Sequence, residues 1–279
     1  MTSPPRPIKI ESQRDPLVRL LQSLTTPSGR VQQGQYIVEG AELIRRALIW
    51  GAEVKALIFT DAIDIDAAEH VAIRQLALTK RLVVHQLSVG LMSKVLGAKP
   101  TPPCVAIVTR AVRALDDMLG GGLLIIADSM ENADNMGMFL RSVEAAGADG
   151  VVLTGASVEP FNRKTVRGSR GAVFRVPLCI APDAEAAITS LRAAGLTVIA
   201  TSAQANALAH TDPDYTQRVA LLVGNEHVGL DAALVAASSC CVKIPMAGEV
   251  SSLNVAVAAS VVMYEAVRQR RAAAQSART

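Results

Sequence analysis

Val219-Ala220-Leu221-Leu222-Val223-Gly224-Asn225-Glu226 is the stretch on which the fold turns. Five apolar residues in a row, too short for a buried helix and bounded by a glycine, predict a strand covered on both faces. A polar pair, Asn225-Glu226, follows at once, with Gly229-Leu230 just beyond. The same arrangement occurs twice more. The strand expected at Leu123 to Asp128 runs into Asn135-Met136-Gly137, with Arg141 on the first turns of the following helix. The strand expected at Cys241 to Pro245 carries Ile244-Pro245-Met246 and leads to Ser251-Ser252-Leu253-Asn254. In open α/β sheets this strand edge is where ligands bind.

Outward from these blocks the pattern alternates. Helices are expected at Met136 to Ala146, Ala184 to Ala194, Asp231 to Ala237 and Leu253 to about Arg271. Between them lie strands at Val151 to Thr154 and Thr197 to Thr201. Strands alternating with helices imply a mostly parallel sheet covered on both faces. The front of the chain repeats the alternation on a smaller scale, from the helix at Glu39 to Trp50 to the strand at Cys104 to Thr109. Residues 1–14 read as a mobile leader, Asp15-Pro16 opens a short helix reaching Leu24, and Thr25 to Gly34 reads as a turn cluster. The organisation expected is leader and helix over 1–24, a small α/β module over 25–110, a linker over 111–122 and a larger domain over 123–279.

Half of the 279 residues are apolar, yet no uninterrupted apolar run approaches the roughly 20 residues that span a bilayer. The first ten residues hold three prolines and no apolar stretch of signal-peptide type, so the expectation is a cytoplasmic protein. Aromatics make up only 3%, which argues against recognition of bases by exposed rings. Cys104, Cys179, Cys240 and Cys241 form no C-x-x-C pair, and the four histidines lack ligand spacing, so no metal site is expected. Residues 1–110 hold 14 Lys/Arg against 9 Asp/Glu, whereas residues 111–279 hold 14 against 16. A mildly basic front half suits a module that faces nucleic acid.

Two nucleotide motifs fail. Gly120-Gly121-Gly122 precedes a strand, whereas the dinucleotide fingerprint follows one. Gly224 and Gly229 have P-loop spacing but are followed by Leu230 and Asp231 rather than Lys and Ser/Thr. Each polar block taken alone has a bland account. Asn135 caps a helix, Glu226 is solvated on a strand-to-helix turn (if buried it needs a partner, for which Arg141 is a candidate), and Ser251-Ser252 with Asn254 supplies the cap of the last helix. Arg163, Lys164, Arg167, Arg170 and Arg175 form a basic stretch with no acid between Phe161 and Val176. That stretch is either a solvated face or an edge that contacts phosphates.

Taken together, in this order and spacing, the blocks over Leu123 to Val267 resemble the three motifs of the SpoU/TrmH-type RNA 2′-O-ribose methyltransferases, a branch of the SPOUT superfamily. Ser169-Arg170-Gly171-Ala172 and Arg175-Val176-Pro177 are similar to that family's loop after the second strand. Gly34 to Arg110, above all Tyr36-Ile37-Val38-Glu39-Gly40, resembles more loosely the L30e-like substrate-binding module often found ahead of such a domain.

The resemblance implies an α/β domain with a deep C-terminal trefoil knot, working as a homodimer with S-adenosylmethionine as cofactor. It places Gly224, Ile244 and Leu253 in the cofactor pocket, with Thr201, Met246 and Leu222 near it. Its catalytic polar residues map to Asn135, Arg141, Glu226, Ser252 and Asn254. Arg141 would orient the attacking hydroxyl and stabilise the alkoxide, because a guanidinium is a poor base; Glu226 and Asn135 would hold it. His227 and Val228 stand where family members often have a glycine or small residue. The expected substrate is structured RNA, ribosomal before transfer RNA. The alternatives are a non-catalytic RNA-binding or ribosome-assembly factor on the same fold, or an unrelated nucleotide-dependent α/β enzyme, which would lack any phosphate-cradling motif.

Overall fold

The computed structural model describes residues 6–202, 207–250 and 252–277. Ser251 and the first five residues of the expected leader lie outside the described residues. In chain order the elements are β1 (Ile8–Ile10), α1 (Pro16–Ser23), α2 (Pro27–Gln33), β2 (Gln35–Glu39), α3 (Ala41–Ile49), β3 (Val54–Thr60), α4 (Ala68–Thr79), β4 (Val84–Leu87), α5 (Val89–Leu96) and β5 (Cys104–Thr109). There follow β6 (Leu123–Asp128), α6 (Ala133–Ala146), β7 (Gly150–Thr154), α7 (Arg163–Gly168), β8 (Leu178–Ile180), α8 (Ala184–Ala193) and β9 (Thr197–Thr201). The last are β10 (Leu208–Ala209), β11 (Val219–Val223), α9 (Ala232–Ala237), β12 (Cys240–Lys243) and α10 (Val255–Ser276). The chain divides into two compact units, 1–110 with 159–174, and 111–158 with 175–279.

The first unit is built on a five-stranded sheet of order β1-β4-β3-β5-β2. Two sequence expectations change here. Residues 8–10 of the supposed leader pair in parallel with β4, Ile8 opposite His85 and Ile10 opposite Leu87, and Ile10 is buried. The supposed turn cluster contains α2. Thr26 caps it by accepting from Gly29 N, Pro27 takes the first helical position, and Gly34 closes it at φ 61°. Val18, Leu21 and Leu24 from the α1 region pack with Ile37, Ile58, Met92 and Ile107 in this unit's core.

Segment 159–174 is covalently part of the back half but packs as part of this first unit. Glu159 accepts from Arg30 Nε at 2.7 Å and from Arg110 Nε at 3.2 Å. Arg30 is almost wholly buried, so its charge is sustained by that carboxylate and by the Leu24 carbonyl. Phe161 packs on Tyr36 with ring centroids 4.8 Å apart, and the Arg110 guanidinium covers the Phe161 ring at 5.2 Å.

The second unit is a seven-stranded sheet of order β10-β12-β9-β11-β6-β7-β8, with every recorded pair parallel. Its central strands β6 and β11 are buried throughout apart from Asp128, which is the pattern of a sheet with helices on both faces. Leu124, Ile126, Val198, Ala220 and Leu222 share a core with Ile188 and Leu191 of α8. β12, β9, β11 and β6 are consecutive neighbours, so their C-terminal ends, and the polar blocks that follow three of them, come to one edge.

Candidate active site

Asn132, not Asn135, caps α6. Its Oδ1 accepts from Asp134 N at 2.8 Å and Asn135 N at 3.2 Å. Asn135 thereby becomes the third helical residue, and its side chain is free to reach across the edge. At the last helix the cap is Asn254, accepting from Ala256 N at 2.9 Å. Both outcomes have one cause. Several Ser and Asn residues near each helix start satisfy the capping rule, and backbone geometry selects among them.

These shifts create a directed chain of hydrogen bonds. Asn254 spends its carbonyl oxygen on the helix N-terminus, so its Nδ2 is the end that faces Asn135, donating to Oδ1 at 2.9 Å. Asn135 must then turn its own Nδ2 to Glu226, donating to Oε1 at 2.9 Å. Asn132 N adds a longer donation to the same oxygen, 3.4 Å. Partial burial would raise the pKa of Glu226, but the Asn135 amide and neighbouring backbone N–H groups outweigh it, holding the carboxyl below its ordinary value. Glu226 is therefore an ionised acceptor at neutral pH.

Around this chain lies a cavity of about 490 Å³, lined by Glu131, Asn132, Asn135, Glu226, His227, Ser252, Leu253 and Asn254. Glu131 and Asn132 are residues that sequence reasoning passed over, and Asn225, quoted there within its block, was given no role. Asn225 joins two loops, donating from Nδ2 to Ser129 O at 2.8 Å and to Glu131 Oε1 at 3.2 Å. Its Oδ1 accepts from His227 N at 2.8 Å and Val228 N at 3.2 Å. The available signal was its place directly after a strand-ending glycine.

The remaining expected residues divide. Leu253 and Ser252 line the cavity. Thr201 ends β9 and Ile244 directly follows β12, two neighbouring strands on one side of β11, at the same sheet edge as Gly224, while Met246, on the next loop, is 37% exposed. Thr201 Oγ1 donates to Leu222 O at 3.1 Å. The Leu222 side chain is fully buried in the sheet core, so only its carbonyl faces this region. A Cβ on Gly224 would lie 2.6 Å from Gly229 C and 2.8 Å from Leu230 Cγ. The glycine is thus required by closure of its own loop, where Asn225 and Gly229 pair backbone to backbone.

Arg141 stands apart from these residues within one chain. It is exposed, is absent from the cavity lining, and has no bond to Glu226. Six residues along an α-helix rotate it roughly 120° away from Asn135. Among the basic residues, Arg163 is engaged inside the first unit by Glu39 and the Leu96 carbonyl, and Arg175 pairs with Glu144 at 3.1 Å. Neither is a free phosphate ligand. Lys164, Arg167 and Arg170 are exposed, with no acidic partner among the described residues.

Residues 122–264 match the model of the SpoU rRNA Methylase family. This chain belongs to that family. A 23S rRNA (uridine(2479)-2′-O)-methyltransferase of Streptomyces viridochromogenes is 31% identical over 86% of this chain and 85% of its own length. The 23S rRNA (guanosine(2553)-2′-O)-methyltransferase RlmP of Bacillus subtilis is 28% identical over 92% of this chain and 98% of its own. Among solved structures, an AdoMet-bound rRNA methyltransferase from Sinorhizobium meliloti aligns with TM-score 0.80 at 30% identity, covering 93% of this chain and 97% of that one. The SpoU methyltransferase AviRb of Streptomyces viridochromogenes in complex with AdoMet gives the same TM-score and identity, over 92% and 99%. The mostly parallel α/β sheet is thus the SPOUT methyltransferase fold, and Asn135, Glu226, Ser252 and Asn254 all lie within the matched residues.

Proposed function

We propose that this protein transfers a methyl group from S-adenosylmethionine to a ribose 2′-hydroxyl of structured RNA, with ribosomal RNA as the substrate. The observation that carries the reading is the Asn254–Asn135–Glu226 chain, in which all three polar blocks meet at one cavity. Membership of a family of rRNA methylases agrees with it. The cavity suits the cofactor. Its volume lies in the small-molecule range, and its lining offers Leu253 as an apolar wall, amide and hydroxyl groups, and two carboxylates, Glu131 and Glu226, to a cationic ligand.

S-adenosylmethionine supplies a methyl group on positively charged sulfur, so its leaving group needs no further activation. The tasks left to the chain are orientation of the ribose and disposal of one proton. Glu226, fixed by Asn135 and Asn132, serves as a rigid anionic acceptor. Ser252 and Asn254 shape the ribose site, while Thr201, Gly224, Ile244, Leu253 and Met246, with the Leu222 carbonyl, border the cofactor.

Arg141 orients the hydroxyl from a second subunit. Support comes from the face on which it sits: Met138 beside it on α6, and Val257 and Tyr264 on the neighbouring α10, are all more than 40% exposed. The protein then works as a homodimer with Arg141 supplied in trans, and its C-terminal segment forms the family's trefoil knot. The front unit holds the RNA, with Lys164, Arg167 and Arg170 as phosphate contacts, and the reaction takes place in the cytoplasm. No described helix is long and apolar enough to cross a membrane. The test is incubation of the purified protein with labelled S-adenosylmethionine and rRNA from cells lacking the gene. Label in nucleotides resistant to alkaline cleavage supports the proposal, and label confined to bases or absent refutes it.

A further inference from the structure

The cavity lining contains three side chains that can accept a proton: Glu131, Glu226 and His227. Under the methyl-transfer reading, on which this inference rests, one proton has to leave. The ribose oxygen forms its bond to the methyl carbon, the carbon–sulfur bond breaks with its electron pair returning to sulfur, and the hydroxyl proton is released. Glu226 is poorly suited to take it, because its donors hold it ionised below the ordinary carboxylate range. Arg141 lies outside the cavity lining, and a guanidinium is a poor base. Glu131 already accepts from Asn225 Nδ2 at 3.2 Å, which ties it to the loop contact.

His227 differs from all three. Its backbone is fixed at the cavity rim by donation to Asn225 Oδ1 at 2.8 Å, in a loop closed by the Asn225–Gly229 pair. Its ring makes no hydrogen bond to any described residue, leaving both nitrogens for a ligand. The charged groups that face it are Glu131, from the loop after β6, and Glu226 on its own loop. Among the described residues, the segment before α10 brings Ser252, Leu253 and Asn254 to the lining and α6 brings Asn135 with its cap Asn132, all of them uncharged. We propose that His227 accepts the 2′-hydroxyl proton of the target ribose and passes it to solvent.

Two readouts test this on the full-length protein. The first is methyl transfer to rRNA from cells lacking the gene, measured across pH 5.5–9 for the wild type and His227→Gln. For the wild type the rate should rise with pH and then level, as base catalysis requires. His227→Gln should fall about 100-fold at neutral pH, with the plateau lost and S-adenosylmethionine affinity by calorimetry unchanged. The second needs no turnover. Diethyl pyrocarbonate modification of His227, followed by mass spectrometry, should slow about tenfold when the same rRNA and S-adenosylhomocysteine are added. A His227→Gln variant within threefold of wild type and sharing its pH profile would overturn the assignment, as would modification unaffected by RNA. A wild-type protein that methylates no rRNA would overturn the functional reading and this one with it.

Discussion

Asn254 donates its amide nitrogen to Asn135 Oδ1 at 2.9 Å across 119 positions of chain, while its own carbonyl oxygen caps α10. One side chain thus ends a 22-residue helix and sets the orientation of the amide that holds Glu226.

The two tasks of Asn254 separate by substitution. Asn254→Ala should lose the cap, about 1 kcal/mol of stability, together with activity. Asn254→Asp keeps a capping oxygen but presents no donor to Asn135, so Asn135 is free to turn its own oxygen toward Glu226. Stability within about 0.5 kcal/mol of wild type but methyl transfer reduced on the order of tenfold is expected, by denaturant titration and rate measurement.

Glu226 makes stability depend on pH in a defined direction. Its folded pKa lies below the ordinary 4.5, so its stabilisation is fully present above that value and is lost as pH falls through the folded pKa. The melting-temperature gap between wild type and Glu226→Gln should be widest near neutrality and close progressively below pH 4.5. A gap constant from pH 7 to 3 would show that the carboxylate is not held in this way.

Supply of Arg141 across a dimer predicts rescue. Arg141→Ala and Glu226→Gln homodimers should each be inactive, whereas subunits mixed by unfolding and refolding should regain about a quarter of wild-type activity, one intact site in half of the dimers. Absence of rescue, with mixed dimers demonstrated by mass, would place Arg141 in its own subunit's site or outside the chemistry.

The basic residues should behave as two sets. Alanine at Lys164, Arg167 or Arg170 should each flatten the dependence of log RNA affinity on log salt by about 0.7–0.9, with little effect on stability. Alanine at Arg163 leaves Glu39 without its guanidinium and should destabilise the fold instead.

The strand ends and the order of the polar blocks were legible in the sequence because buried strands are short apolar runs with sharp polar ends. Phase and choice among equivalents were not. Asn132 and Asn135 are equally good caps as letters, and Arg141 looks adjacent to Asn135 until helical rotation turns it away. β8 and β10 were too short to register, and α2 hid behind Thr26-Pro27, which reads equally as a turn. The membership of 159–174 in the first unit depends on the Arg30–Glu159 and Glu39–Arg163 pairs, separated by more than 120 positions, which no local pattern encodes. At Gly224 a Cβ would meet Gly229, a loop contact that the letters alone do not reveal.

The most direct measurement of the central claim is a map of ribose 2′-O-methylation across total RNA from cells with and without the gene. The account predicts one ribosomal RNA position, methylated in the parent, that loses its mark in the deletion and recovers it with the wild-type gene but not with Glu226→Gln. An unchanged ribosomal map, or one restored equally well by Glu226→Gln, would contradict it.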